Sequence, residues 1–76
     1  MPIVYKSRTL DYGQCKQYVE ILDGVVRQQW LASNGNHSYT GNGNPEIVGK
    51  PESALRGYGF RKVSQAEHNR LLETTN

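Results

Sequence analysis

The side chains able to carry out covalent chemistry are few. Cys15, His37, His68, Asp11 and Asp23 supply the types needed for a nucleophile, a base and an orienting acid. Group transfer requires such residues to meet within hydrogen-bond reach, and their spacing matches no recognised catalytic pattern. Isolated titratable residues serve far more often as surface groups or as satisfied core groups, so no enzyme activity is expected. One cysteine and two histidines far apart make no zinc set. The Gly/Asn-rich stretch lacks the GxxxxGK[ST] pattern of a phosphate cradle and reads as a plain connection. No metal and no cofactor is expected.

A second set of residues suits binding. In Arg56-Gly57-Tyr58-Gly59-Phe60-Arg61-Lys62 the two rings are two positions apart, so on a strand both leave the same face. Glycines beside them would let a base approach and stack, and Arg56, Arg61 and Lys62 could meet phosphates. The run resembles the start of the RNP1 signature of RNA-recognition motifs and cold-shock domains, K/R-G-F/Y-G/A-F-V-x-F/Y. The resemblance implies a binder of single-stranded nucleic acid or a nucleotide through Arg56, Tyr58, Phe60, Arg61 and Lys62. It covers five positions. Arg61 then stands where an aliphatic residue belongs, Val63 replaces the last aromatic, and the placement along the chain fits neither family. The competing reading puts Tyr58 and Phe60 in the core beneath a C-terminal helix, and burial of the rings decides between the two.

The elements that must position these residues are best marked between Lys16 and Tyr39. Asp23-Gly24 and Asn34-Gly35 both favour two-residue turns with φ > 0 at each central position. The first turn sets Leu22 opposite Val25, Ile21 opposite Val26, Glu20 opposite Arg27, Val19 opposite Gln28 and Gln17 opposite Trp30. The second sets Ala32 opposite His37 and Trp30 opposite Tyr39. One face then collects Val19, Ile21, Val26 and Trp30, with Cys15 just before the strand. The other face shows Tyr18, Glu20, Arg27 and Gln29. A helix over residues 10–22 competes, because Cys15, Tyr18, Val19 and Leu22 fall at helical spacing. Gly13 and Gly24 oppose it, and Val25, Val26 and Trp30 favour strand.

Elsewhere, Ile3 to Arg8 reads as a strand with Ile3 and Tyr5 on one face and Val4, Lys6 and Arg8 on the other. Residues 9–14 read as a connection, 41–45 as a mobile Gly/Asn-rich loop, and Ile47-Val48 as a short edge strand. Pro51 to Gly57 has the grammar of one or two helical turns closed by Gly57. Tyr58 to Val63 reads as a strand. Ser64-Gln65-Ala66-Glu67 is a capping-box pattern that opens a helix to about Glu73, with His68, Leu71 and Leu72 on one side. These elements predict one small α+β domain over residues 1–76, a mainly antiparallel β-meander sheet with a C-terminal α-helix packed on one face.

Length and composition narrow the function. Leu, Val, Ile and Phe make up sixteen of 76 residues, just above the roughly one-fifth level associated with disorder, so the core is lean. A chain of this size often gains stability from a partner. The single cysteine excludes an internal disulfide and suits a reducing, cytoplasmic setting. No stretch approaches a membrane span, and the first residues lack a signal-peptide apolar core. The net charge is +2, with acids interspersed among the nine cations, which is not the footprint of a strong polyanion binder. A non-enzymatic protein-binding module follows as the preferred expectation, using Tyr18, Glu20, Arg27 and Gln29 on the outer sheet face, or an exposed edge strand, to dock on a protein or to self-associate. In size and style it is similar to accessory and inhibitor proteins of phages and mobile elements. The alternative is the binder of single-stranded nucleic acid or a nucleotide.

Overall fold

Asp23 and Gly24 both adopt positive φ, 55° and 75°, as a two-residue turn between twisted strands demands. The computed structural model describes residues 3–10, 13–33 and 45–75, and this turn joins its two longest strands. Strand β1 is Val4–Leu10, β2 is Cys15–Leu22 and β3 is Val25–Ser33. A two-residue β4, Arg61–Lys62, and a helix α1, Gln65–Thr75, complete the regular elements, with 3-10 segments at Pro45–Ile47 and Glu52–Tyr58. The strands form one antiparallel sheet in the order β3-β2-β1-β4. The fold is thus a small α+β arrangement with the C-terminal helix on one sheet face, as expected, and the helical alternative for residues 10–22 is overturned.

Past the turn the expected register holds for two pairs and then slips. Leu22 opposes Val25 and Ile21 opposes Val26, but Glu20 opposes Gln28, Val19 opposes Gln29 and Tyr18 opposes Trp30. Arg27 is therefore the extra residue of a β-bulge, which turns the rest of β3 by one position. The consequence reaches the whole core. Trp30 leaves the face of Val19, Ile21 and Val26 and joins that of Tyr18. Instead of one apolar face, the sheet has two. On the first face Val19, Ile21 and Val26 pack with Ile47, Leu55 and Phe60, and with Val4 at the margin. On the second, Tyr5, Tyr18, Trp30 and Ala32 pack against Leu71 of α1. Trp30 stacks on Tyr18 at 5.5 Å and meets Tyr5 edge-on at 6.1 Å, and its buried Nε1 donor has no hydrogen-bond partner. The second turn, the pairs with His37 and Tyr39, and the loop 41–45 lie outside the described residues.

The first core is roofed by short 3-10 segments rather than by strand. Ile47 ends a 3-10 turn and is buried, in place of the expected edge strand. The next residues bond to the hairpin instead: Val26 N–H donates to the Lys50 carbonyl (2.9 Å), Gly49 N–H to Val26 (2.8 Å) and Glu52 N–H to Gly24 (2.7 Å). From there Glu52–Tyr58 crosses the face and drops Leu55 into the core. It ends at Gly59, whose φ of 86° is left-handed, two residues beyond the expected terminator Gly57; a side chain is strained at such a φ. Only Arg61–Lys62 of the expected 58–63 strand forms.

On the other face α1 begins where the capping pattern puts it. Glu67 N–H donates to Ser64 Oγ at 3.2 Å, satisfying one of the orphan amides of the first turn. Eleven residues are too few for a stable isolated helix, so burial of Leu71 against the aromatic cluster supplies the rest. Ser64→Ala is expected to lower stability by about 0.5–2 kcal/mol. An unshifted urea midpoint at unchanged m-value would count against Ser64 as the cap.

Candidate functional site

The reactive residue types are not assembled. Cys15 opens β2 and Asp23 lies in the turn after its far end, so the length of the strand separates them. Cys15 is half-buried. His68 is half-buried with its ring 5.3 Å from that of Tyr5, a packing role. Asp11 and His37 lie outside the described residues. Among the described residues no group of three His, Cys, Asp or Glu could hold a metal ion, and no helix is long and apolar enough to cross a membrane.

The four residues expected to share an outer sheet face do not do so. Tyr18, Glu20 and Gln29 are buried, and only Arg27 is exposed. The bulge sends Gln29 to the Val19 face, while Tyr18 and Glu20 stay together on the face that α1 covers. Each of the three buried residues has a polar partner, Gln17 serving Gln29. Tyr5 donates its hydroxyl to Glu20 Oε2 (3.1 Å), and Arg27 Nε lies 3.5 Å from Glu20 Oε1. Tyr18 donates to Glu67 Oε2 (2.8 Å), which Lys16 Nζ approaches at 3.8 Å. These tyrosine–carboxylate contacts sit in the sheet and between sheet and helix, where an unpaired polar group would be costly. Burial, then the hydrogen bond to Glu67 and the charge of that carboxylate, pushes the Tyr18 phenol well above its ordinary range, with Arg70 opposing.

The RNP1-like run is also divided. Phe60 is 6% exposed and belongs to the first core, whereas Tyr58, at the end of the 3-10 helix, is 39% exposed. Arg61 pairs with Ser7 and Lys62 with Lys6, so their side chains leave opposite faces. Arg8 occupies the ground above both rings. Its guanidinium lies 5.0 Å from the Phe60 centroid and 5.9 Å from that of Tyr58. It also donates to the Tyr58 carbonyl (3.0 Å) and to Gln17 Oε1 (2.7 Å), and Gln17 in turn donates to Gln29 (3.2 Å). A two-ring stacking platform is therefore not formed.

A basic face is formed in its place. Lys6 and Arg8, two apart on β1, share the first face with Lys62, the cross-strand neighbour of Lys6. Arg56 joins them from the 3-10 helix, where with Lys6, Glu52 and Ser53 it lines an open cleft of about 410 Å³. Four of the nine cations thus lie on this face, and Glu52 Oε2 is 3.4 Å from Lys6 Nζ. Among the described residues neither Arg56 nor Lys62 is in an ion pair. Like charges directly opposite in a sheet are destabilising, so the Lys6–Lys62 pair is a cost that packing does not explain. Sequence reasoning missed Lys6, Arg8 and Glu52. The i, i+2 spacing of Lys6 and Arg8 was visible; the crossing of residues 52–56 above them was not.

Fold and site together define an α+β protein with both sheet faces covered and cations clustered on one of them. No family model matches the chain, and neither the curated proteins nor the solved structures contain a match to it.

Proposed function

We propose that this chain is a small non-enzymatic binding protein that works by contact with another protein, as accessory and inhibitor proteins do. Its contact surface is the basic face of Lys6, Arg56 and Lys62 with the half-exposed Tyr58. The carrying observation is an open cleft lined by Lys6 and Arg56, with Lys62 directly across from Lys6 as a like-charge pair between β1 and β4. Charge complementarity of this kind governs partner choice and association rate, and a tyrosine beside cations is a common composition for a contact patch. A cytoplasmic setting suits the single cysteine.

Stacked bases fit this face less well than acidic side chains. Base recognition needs open rings, and here one ring is in the core and Arg8 covers both. The test is chemical-shift mapping on the ¹⁵N-labelled protein with a glutamate-rich peptide and, in parallel, an oligothymidylate. The peptide is expected to perturb Lys6, Arg56, Tyr58 and Lys62 and to bind more weakly as salt rises. Tighter binding of the oligonucleotide, abolished by Tyr58→Ala with the fold intact, would replace this reading with the nucleic-acid one. An unperturbed basic face would remove it.

A further inference from the structure

We propose that the cleft between Lys6, Ser53 and Arg56 is a carboxylate seat, and that Glu52 is a competitor for it built into the chain. The inference rests on the basic face being the contact surface and goes on to name the partner group and what regulates its entry. Glu52 reaches Lys6 at 3.4 Å, yet its side chain stays 39% exposed against 22% for Lys6. The pair is therefore held at the mouth of the cleft, in contact with solvent. Exposed pairs of this kind are weak and exchange readily. The guanidinium of Arg56 lines the same cleft without an ion-pair partner among the described residues, and Ser53 adds a hydroxyl. An incoming aspartate or glutamate side chain can take Lys6 from Glu52 while gaining Arg56, whose planar fork suits a carboxylate.

The backbone places the competitor. Glu52 N–H is bonded to the Gly24 carbonyl at 2.7 Å, which fixes the start of the 3-10 helix on the hairpin turn, while β1 carries Lys6 across the sheet. Neither side of the pair is on a free loop. A cleft whose Lys6 already holds a carboxylate from within is matched in charge to a carboxylate from outside. That match favours an acidic polypeptide over a phosphate as the occupant.

The experiment titrates a fluorescent hexaglutamate peptide into the full chain and into Glu52→Gln, Arg56→Gln and Lys62→Gln, with urea midpoints recorded for each. Glu52→Gln is expected to tighten binding about two- to fivefold, the range corresponding to release of one exposed ion pair, while Arg56→Gln and Lys62→Gln weaken it. Unchanged affinity in Glu52→Gln, with weakening in the other two, would overturn the competitor and leave the basic face standing. Insensitivity of all three variants, or no binding of the peptide, would overturn both. Tighter binding of inorganic phosphate or of an oligothymidylate than of hexaglutamate would overturn the carboxylate assignment. Titrations are read without urea, where the midpoints show each variant folded, so a modest loss of stability in Glu52→Gln does not blunt the test.

Discussion

Phe60→Ala is expected to lower the free energy of unfolding by about 3–5 kcal/mol, the range for truncating a buried aromatic ring. Tyr58→Ala, two residues away, is expected to cost about 1 kcal/mol or less. The contrast comes from where the chain leaves the 3-10 helix. Tyr58 is its last residue and remains 39% exposed, so truncation removes only partial packing and a weak contact with Arg8. Gly59 then turns the backbone through the left-handed region, and Phe60 falls inward among Val19, Ile21 and Leu55. Its removal strips the lid from the first core and one contact from Arg8. Urea unfolding followed by the fluorescence of Trp30, which lies on the opposite sheet face, reports both variants. Equal losses would mean that the two rings share one environment, as they would on a continuous strand, and are not divided between core and surface.

Local chemistry in the chain was legible where one residue type does one job. Asp23-Gly24 makes the turn it advertises, the alternation of β1 places Tyr5 inward on one face and Lys6 and Arg8 on the other, and Ser64 caps α1. What was not legible is the bulge at Arg27. A bulge has no required residue type here, and Arg is as acceptable in the extra position as in a regular one. Yet it inverts every side chain after it, so a correct turn led to a wrong face for Trp30 and Gln29. Gln17, Glu20 and Gln29 are polar in type and yet buried. Each is buried only because a distant partner meets it: Arg8 for Gln17, Tyr5 for Glu20 and Gln17 for Gln29. Polar alternation signals exposure unless such a partner exists, and partners nine or more residues away leave no mark on local sequence.

The same reasoning explains the candidate site. The RNP1-like run reads as a strand because alternating aromatics favour one, but its first half is taken into a 3-10 helix whose Leu55 is needed to fill the first core. The cations around the run are scattered in sequence with acids among them, which marks no patch. Three of the four that converge do so through β1 and β4, which are neighbours only because β1 lies inside the sheet order β3-β2-β1-β4. Sheet order is a tertiary property. The basic face therefore follows from topology rather than from any motif.

Stability is expected to fall as pH rises above about 10, and Tyr18→Phe is expected to soften that fall. In the unfolded chain Tyr18 ionises near pH 10. In the folded chain its phenol is buried and donates to Glu67 Oε2 at 2.8 Å, so deprotonation would place a second negative charge against the first. Folding therefore holds the proton to higher pH. Below about pH 10 both states keep it, and this contribution to stability is complete and constant. Above that, the unfolded state releases a proton that the folded state retains, and the balance shifts toward unfolding by up to about 1.4 kcal/mol per pH unit for one group. Tyr18→Phe has no such proton. Near neutral pH it is expected to be less stable than wild type by about 1.5–3 kcal/mol, since it loses a hydrogen bond to a charged acceptor. Its alkaline decline should be shallower, because only the remaining titrating groups contribute. Urea midpoints for both proteins from about pH 8 to about pH 11 measure the difference directly, and groups common to the two cancel. The curves should converge as pH rises. Curves that stay parallel would show that the folded protein does not hold the Tyr18 proton, and that the bond to Glu67 does not tie β2 to the helix in solution.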